Sequence, residues 1–374
     1  MILRTLSILN YKNIIEAELT FSPKINCFIG ANGMGKTNLL DAIYYLSFCR
    51  SATNPIDSQI VRHGANFLML NGIYHPPTGE PLEVSCGIKP RQRKQFKRNG
   101  TLYRKVSEHI GTIPLVIISP ADITLITGGS EDKRAFLDSV ISQFDRPYLD
   151  ACIRYGEALK QRNALLKAEE EPDPAVIEIY EEQMAYEAEY IYAKRKAFIA
   201  DFIPQFNRFY SLIADGAEAV ELHYVSQGER GAWLNTIRSG RAKSRIMGYS
   251  LHGIHKDDLT MLLAGHAIKR EGSQGQNKTF LIALKLAQFF FLRQVSPNGT
   301  KPLLLLDDIF DKLDSQRVTR LIEIVAQDDF GQIFITDTNR EHLDRIVAGL
   351  GGDYKLFTIN HGEVIHETQK DRAD

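Results

Sequence analysis

The stretch FIGANGMGKTNLLDAI, residues 28–43, decides the fold. An apolar run, residues 25–29, leads into three closely spaced glycines, and apolar residues with helical spacing follow from residue 37. Residues 30–37 match G-x-x-x-x-G-K-[ST], the pattern of a phosphate-binding P-loop. Glycines let backbone N–H groups wrap a phosphate, and the helix that follows adds the positive end of its dipole. The sequence therefore predicts an α/β nucleotide-binding domain.

Two side chains of this loop carry its chemistry. The Lys36 ammonium supplies a positive charge to the phosphates, so Lys36 is a predicted catalytic residue, and the Thr37 hydroxyl is a predicted ligand of Mg²⁺. The loop residues predicted to bind ATP are Gly30, Ala31, Asn32, Gly33, Met34, Gly35, Lys36 and Thr37.

A strand that ends in an acid is expected to complete the phosphate site. Residues 303–306 are four leucines, followed by Asp307 and Asp308. A continuous apolar run is typical of a buried parallel strand. Asp307 at its carboxyl end is predicted to hold Mg²⁺ through water, and Asp308 to orient or deprotonate the attacking water. The alternative, an ordinary strand end with a loop acid, is disfavoured by the presence of the P-loop.

Two further motifs resemble those of ATP-binding-cassette (ABC) ATPases. Ser273-Gln274-Gly275-Gln276, at the start of a predicted helix over residues 273–292, resembles their signature motif. That resemblance implies that Ser273, Gly275 and Gln276 contact ATP held by a second protomer. Residues 309–314, IFDKLD, resemble the D-loop, which crosses the same dimer interface.

Additional stretches make the resemblance specific: residues 9–13 (LNYKN), 35–40 (GKTNLL), 161–163 (QRN) and 253–258 (GIHKDD). With these motifs the chain resembles the RecF family of bacterial recombination-repair ATPases, over residues 1 to about 340. The resemblance implies an α/β fold, the ABC-ATPase (P-loop NTPase) head of the SMC and Rad50 type, with an inserted, mainly helical second lobe. Lobe I would comprise residues 1–118 and 270–374, and lobe II residues 119–269, leading into the signature motif. It also implies that Lys12 contacts ATP.

The chain departs from the pattern of cassette ATPases at three places. Asp308 stands where most carry glutamate, which predicts slow hydrolysis because the carboxylate lies farther from the water. Asp337 and Thr338 stand where a switch histidine is expected. No convincing Q-loop glutamine follows Ser119 and Pro120.

By resemblance, the chain would be an ATP-dependent DNA clamp of recombinational repair and replication-fork maintenance, with ATP and Mg²⁺ as cofactors. It would be a weak, DNA-stimulated ATPase that forms an ATP-dependent homodimer. It would bind duplex and single-stranded DNA near gaps and help mediators of the RecO and RecR kind to load the RecA recombinase. The alternatives are another ABC-type ATPase, such as a transporter motor, or a DNA-binding structural module with a vestigial nucleotide site. An SMC-type coiled coil would not fit between Lys36 and Ser273.

Composition limits the other possibilities. The 374 residues include 45 Lys and Arg against 46 Asp and Glu, so the formal net charge is −1 and a polyanion could bind only at a local patch. Four scattered cysteines indicate reduced core thiols. Because no apolar run approaches the ~18 residues that a membrane span needs, we expect a cytoplasmic, nucleoid-associated protein without membrane contact.

One local patch precedes the Asn99-Gly100 hairpin turn, where Phe96 lies among several cations. The DNA-binding candidates are Arg91, Arg93, Lys94, Lys97 and Arg98. Such a strand could follow a phosphate backbone without reading bases, or it could be a solvated edge strand. A second cluster, Arg238, Arg241, Lys243 and Arg245, is predicted to lie in a loop and to contact DNA or a partner, or neither.

Residues 131–213 carry two apolar stripes with helical spacing, separated by EEEPDP at residues 169–174, and predict a helical hairpin. Gln161, Arg162 and Asn163 on its first helix would face a dimer or lobe interface or form a surface cluster. His252 and His255 are interpreted as structural.

Overall fold

The computed structural model describes residues 1–214, 218–296, 299–310, 315–327, 329–340, 344 and 353–370. The chain forms two compact units. Unit 1 comprises Met1–Asp122, Leu212–Ala214 and Lys278–Asp374, and unit 2 comprises Ile123–Ser211 and Asp215–Asn277. The lobes expected from the sequence are defined by family resemblance, so their boundaries stay a prediction.

The strands of unit 1 are β1 (Ile2–Tyr11), β2 (Ile14–Thr20), β3 (Ile25–Ile29), β4 (Leu68–His75), β5 (Leu82–Ile88), β6 (Gln95–Arg98), β7 (Thr101–Leu102), β8 (Leu115–Ile118), β12 (Leu303–Asp307), β13 (Ile333–Asp337), β14 (Tyr354–Asn360) and β15 (Glu363–Lys370). Those of unit 2 are β9 (Val220–Val225), β10 (Asp258–Leu263) and β11 (His266–Ala267).

The α-helices are α1 (Lys36–Phe48), α2 (Thr124–Thr127), α3 (Ser130–Ile141), α4 (Arg146–Lys167), α5 (Pro174–Ala214), α6 (Trp233–Ser239), α7 (Arg241–Met247), α8 (Ile268–Glu271), α9 (Gln274–Val295) and α10 (Ser315–Ala326). Short 3₁₀ turns occur at Asp57–Gln59, Val106–His109, Pro120–Ile123, Gln227–Arg230 and Ile254–Lys256. Within the described residues, no helix combines the length and apolar character needed to cross a bilayer.

Two six-stranded sheets build unit 1. The first has the order β2-β1-β4-β5-β6-β7 and is antiparallel throughout. The second has the order β15-β14-β3-β13-β12-β8, in which all neighbours are parallel except the edge pair β14–β15. Ligands of open α/β sheets bind beyond the carboxyl ends of parallel strands. The ends of β3, β12 and β13 therefore mark where a site is expected.

Apolar residues of both sheets and of α1 form one buried core. Phe21, Phe28, Phe334 and Phe357 pack together in it, with ring centroids 5.0–6.4 Å apart. The fully buried Gln332 side chain accepts from the Leu3 N–H (2.7 Å) and donates to the Leu3 carbonyl (2.8 Å). This amide therefore joins the start of β1 to the residue before β13.

Unit 2 contains the predicted helical hairpin, α4 and α5, joined across residues 168–173. Asp145 caps α4 by accepting from the Tyr148 N–H (2.9 Å). Antiparallel strands β9, β10 and β11 form a separate small sheet.

The surface interpretation of residues 161–163 was wrong for Arg162, whose side chain is only 1% exposed, whereas Gln161 is exposed and Asn163 is half-buried. Its guanidinium pairs with Glu181 (2.9 Å) and donates to the Ser250 hydroxyl (2.7 Å), all within unit 2. Asn163 accepts from the backbone N–H of Ser250 (2.8 Å). These groups hold the hairpin to the segment that follows α7.

All four cysteines are free. Cys27, Cys49 and Cys86 are buried, as expected of core thiols, whereas Cys152 is half-buried. Burial raises the pKa of the Cys27 and Cys86 thiols to about 12, so both are uncharged at neutral pH.

Candidate functional site

The P-loop lies between β3 and α1, the context that its sequence predicted. Gly33 (φ 80°) and Gly35 (φ 110°) adopt left-handed conformations that favour glycine. A Cβ on Gly35 would also lie 3.0 Å from the Asn13 amide, and one on Gly30 would lie 2.4 Å from the Ile359 carbonyl oxygen. The glycines thus permit both the loop's curvature and its close packing.

Lys36 is buried and its ammonium donates to the carbonyls of Gly30 (2.7 Å) and Ala31 (3.0 Å). Burial lowers the pKa of Lys36, although the nearby carboxylates of Asp308, Asp307 and Asp337 raise it. The positive charge is therefore held against the inner side of the loop, where phosphates bind in a P-loop.

Thr37, in the first turn of α1, meets Asp307 at the end of β12. The Thr37 hydroxyl donates to Asp307 Oδ1 (3.0 Å), and the Thr336 hydroxyl donates to the same oxygen (2.7 Å). Burial raises the pKa of Asp307, and these two hydrogen bonds lower it in part. The structure thus brings together the two predicted Mg²⁺ ligands, from positions 270 residues apart.

Asp308 follows β12 with a left-handed backbone (φ 49°), which is uncommon for a residue with a Cβ. Its N–H donates to the Thr336 hydroxyl oxygen (3.0 Å). The sequence placed Asp308 beside Asp307 but gave no sign of Thr336, because the contact depends on the register of β12 against β13.

The turn between β14 and β15 packs on the P-loop, a contact that sequence reasoning missed. The Gly362 N–H donates to the Met34 carbonyl (2.7 Å). Gly362 has φ 85°, and a Cβ there would lie 2.5 Å from the Asn13 carbonyl oxygen. The Asn13 side chain in turn accepts from Asn38 Nδ2 (2.7 Å). The LNYKN motif and the turn therefore brace the loop from outside.

Lys12 has an internal partner. Its ammonium lies 2.5 Å from Asp41 Oδ2 and also donates to the Thr53 hydroxyl (2.5 Å). Asp41 is buried and accepts from the hydroxyls of Tyr11 and Ser51, each at 2.6 Å. ATP contact by Lys12 stays a prediction, whereas its ion pair with Asp41 joins the turn between β1 and β2 to α1.

The signature-like motif lies in unit 2 and forms a capping box at the start of α9. Ser273 Oγ accepts from the Gln276 N–H (3.2 Å), and Gln276 Oε1 accepts from the Ser273 N–H (2.8 Å). Each side chain thus satisfies a donor of the first helical turn. Ser273 is exposed and Gly275 is half-exposed.

Of the D-loop-like segment, residues 311–314 lie outside the described residues. In the 3₁₀ turn that follows β8, Asp122 accepts from the Ser119 hydroxyl (2.8 Å) and pairs with Lys285 (2.6 Å). Asp337, which stands where the switch histidine was expected, is buried and accepts from the Asn339 N–H (2.8 Å).

The basic arm, residues 89–98, divides into two kinds of cation. Arg91, Arg93 and Arg98 are exposed, and Lys97 is half-exposed. Arg93 also donates to the Arg104 carbonyl (2.8 Å). The half-buried Lys94 pairs with Asp57 (2.9 Å) and donates to the Cys49 carbonyl (2.6 Å). Phe96 belongs to the core at 1% exposure and packs against His109.

The loop predicted for the second basic cluster was wrong, because these residues lie on α6 and α7. Arg238 pairs with Glu178, and Arg241 pairs with the buried Glu181 (2.5 Å). Arg245 donates to the carbonyls of Leu165 (3.1 Å) and Leu166 (2.8 Å). These three guanidinium groups hold α6 and α7 against the helical hairpin.

Comparisons with known proteins agree with this geometry. A family model described as an AAA ATPase domain matches residues 1–66. Two curated relatives are each a "DNA replication and repair protein RecF". The protein from Phocaeicola vulgatus is 60% identical over 97% of this chain and 98% of its own, and that from Bacteroides fragilis is 56% identical over the whole of both.

Among solved structures, a recombination mediator protein RecF with ATP in the RecFOR pathway is 26% identical, with a TM-score of 0.87 over 99% of this chain and 97% of that one. Its RecF-ATPrS counterpart is 28% identical, with a TM-score of 0.86 over 97% of both chains. An Smc head domain from Pyrococcus furiosus is 16% identical, with a TM-score of 0.59 over 99% of this chain and 96% of that one, and shows the fold alone.

The fold and the phosphate site define an ATP-binding ATPase head of the ABC type, with a fold similar to that of an Smc head domain. Within that class, the chain belongs to the RecF family of DNA replication and repair proteins.

Proposed function

We propose that the chain is an ATP-dependent DNA clamp of recombinational repair. Two copies close over ATP, with Lys36 and Asp307 of one facing Ser273 and Gly275 of the other. The closed dimer holds duplex DNA beside a single-stranded gap and helps mediators of the RecO and RecR kind to load RecA. ATP acts as a conformational switch, because binding energy shared between two copies biases a monomer–dimer equilibrium.

The single observation that carries this proposal is the exposed start of α9. The Ser273–Gln276 capping box fixes the first turn, and the Ser273 side chain is open to solvent in one copy of the chain. A helix N-terminus with a serine hydroxyl and a glycine backbone is suited to an anion. The γ-phosphate of a nucleotide held by a second copy fits that chemistry.

The residues present fit Mg²⁺, which prefers oxygen ligands. The Thr37 hydroxyl and the Asp307 carboxylate lie 3.0 Å apart, and they are the groups that would hold the ion beside the phosphates. Mg²⁺ would neutralise charge on the phosphates. Asp308 accepts a proton from the attacking water as the water oxygen forms a bond to the γ-phosphorus. The bond between the γ-phosphorus and the bridging oxygen breaks, and ADP leaves with its electrons. Its short side chain makes this ATPase weak, and DNA stimulates it.

DNA contact is assigned to the exposed Arg91, Arg93 and Arg98 and to the half-exposed Lys97, which would follow the phosphate backbone. Lys94, a candidate from the sequence, is assigned to the fold because of its pair with Asp57. The protein would act on the nucleoid in the cytoplasm.

Sedimentation velocity with ATP and with ADP tests the proposal. The wild-type chain is expected to dimerise with ATP and not with ADP. Lys36→Met removes the positive charge that is proposed to bind the phosphates. Ser273→Arg places a bulky cation at the signature motif. Both variants should therefore remain monomeric. The matched controls Lys160→Met and Ser211→Arg change exposed residues of α4 and α5 and should dimerise normally.

Equal self-association with ATP and ADP, or undiminished dimerisation of Ser273→Arg, would contradict the clamp. The competing candidate is a DNA-binding module with a vestigial nucleotide site. Asp308 in place of glutamate favours it, whereas the hydrogen-bonded pair of Thr37 and Asp307 disfavours it. Absence of measurable ATP binding would select the vestigial module.

A further inference from the structure

The buried end of β13 carries a hydroxyl that contacts the carboxylate of Asp307 and the backbone N–H of Asp308. Thr336 is 0% exposed and lies opposite Asp307 in the parallel pairing of β12 with β13. Its Oγ1 donates to Asp307 Oδ1 (2.7 Å) and accepts from the backbone N–H of Asp308 (3.0 Å). One side chain thus joins two consecutive residues of the neighbouring strand end.

The chemistry of a hydroxyl determines how these two bonds depend on each other. A threonine hydroxyl has one proton and two lone pairs. The Asp307 carboxylate only accepts when ionised, so the proton must point toward it. A lone pair then remains for the Asp308 N–H. The Asp307 carboxylate therefore sets the orientation in which the Thr336 hydroxyl can accept a hydrogen bond from the Asp308 N–H.

The backbone of Asp308 needs such a partner. A left-handed conformation is unfavourable for a residue with a Cβ, because the Cβ crowds the following carbonyl oxygen. At φ 49° the Cα–Cβ bond of Asp308 points in a direction that an extended continuation of β12 would not give. Because Thr336 holds the N–H of this residue, it helps to fix the direction in which the carboxylate leaves the backbone.

We infer that Thr336 is a positioning residue for ATP hydrolysis, whose hydroxyl holds the backbone of Asp308 so that its carboxylate meets the attacking water. This inference rests on the role proposed above for Asp308. Thr336 has no assigned contact with nucleotide, so its loss should affect turnover and leave nucleotide binding intact.

Steady-state ATPase assays of the full chain test this role, with Mg²⁺ and DNA present. Thr336→Val keeps the shape of the side chain and removes the hydroxyl, so kcat should fall about 10- to 100-fold, as when a group that orients a catalytic ligand is lost. KM for ATP should stay within about threefold, because the P-loop is unchanged. Thr336→Ser restores the hydroxyl and should recover most of kcat. Thr5→Val, on β1, is the matched control.

A double variant separates positioning from structural damage. In the background of Asp308→Asn, which has already lost the proton acceptor, Thr336→Val should lower kcat by less than about twofold, since the two residues act as one unit. A wild-type kcat for Thr336→Val would overturn the inference. So would equal losses in the Val and Ser variants, or a loss that multiplies with that of Asp308→Asn.

The outcome is separable from that of the clamp. Thr336→Val should still dimerise with ATP. Its unfolding in urea should show one cooperative transition, as expected of a folded protein. If the wild-type chain fails to dimerise but the Val and Ser variants differ in kcat as expected, the clamp falls and the positioning role stands. If dimerisation is normal but Thr336→Val turns over like wild type, only the positioning role falls.

Discussion

At the scale of single residues, the environment of a charged side chain determines whether its charge is used in an internal ion pair or faces solvent. Lys94 and Lys97 lie three residues apart in the basic arm, yet Lys94 pairs with Asp57 and Lys97 is half-exposed on β6. A sequence shows only that both are cations. The pair with Asp57 indicates that Lys94 stabilises the fold, whereas Lys97 stays a proposed contact to a polyanion.

Two single substitutions test this division. Lys94→Met should lower the free energy of unfolding by about 1–2 kcal/mol, because the Cys49 carbonyl and Asp57 each lose a donor. It should leave the salt dependence of DNA binding unchanged. Lys97→Met should change stability by less than about 0.5 kcal/mol and reduce the slope of log K against log salt by about one. Urea unfolding and binding titrations at several salt concentrations measure both, and a reversed pattern would reject the assignment.

The two acids of the phosphate site show which site residues a local sequence pattern can identify. Four leucines followed by Asp307 and Asp308 predicted a strand end with a catalytic acid, because buried parallel strands need continuous apolar runs. Thr336 could not be found in this way. Its position beside Asp307 depends on the register of two strands, and no local pattern specifies that register.

At the scale of elements, strong turn signals were predictive and weak helix patterns were not. Asn99 and Gly100 both have positive φ, as a two-residue hairpin turn between β6 and β7 requires. Helices α6 and α7 were missed, since each spans seven residues and they meet at Gly240. Their stability comes from Arg238, Arg241 and Arg245 binding the helical hairpin, which is tertiary context rather than local propensity.

The 3₁₀ turn Val106–His109 predicts a pH dependence of stability. His109 is fully buried, its Nε2–H donates to the Leu46 carbonyl (2.7 Å), and its Nδ1 then accepts from the Tyr103 hydroxyl (3.1 Å). Burial lowers the pKa of this imidazole from 6.5 to about 4. Between these pH values the unfolded chain binds a proton that the folded chain excludes, so stability falls as pH is lowered.

The lowered pKa of His109 corresponds to a loss of about 3 kcal/mol in the free energy of unfolding. This loss develops gradually as the pH falls from 6.5 to about 4. Urea unfolding at pH 7, 5.5 and 4.5 measures it. His109→Gln should lower stability at pH 7 and flatten the loss toward pH 4.5. His63→Gln replaces an exposed histidine and controls for the removal of an imidazole. Parallel curves for wild type and His109→Gln would contradict the assignment.

At the scale of the whole molecule, a net charge of −1 means that the proposed DNA binding depends on local patches of positive charge. The family and the ABC-type fold could be predicted because their motifs lie at strand ends and helix starts, where short sequences carry strong geometric requirements. The packing of the β14–β15 turn on Met34 could not, because it joins backbone groups from opposite ends of the chain. The only sequence feature that such a backbone contact requires is a glycine such as Gly362, where a side chain would not fit.

The residence time of the protein on a gapped duplex tests the central claim most directly. Single-molecule imaging at fixed salt would compare ATP with ADP for the wild-type chain, and Lys36→Met with ATP. The clamp predicts that ATP prolongs residence by at least about tenfold, equivalent to 1.4 kcal/mol, and that Lys36→Met with ATP resembles wild type with ADP. Equal residence times under all three conditions would contradict an ATP-closed DNA clamp.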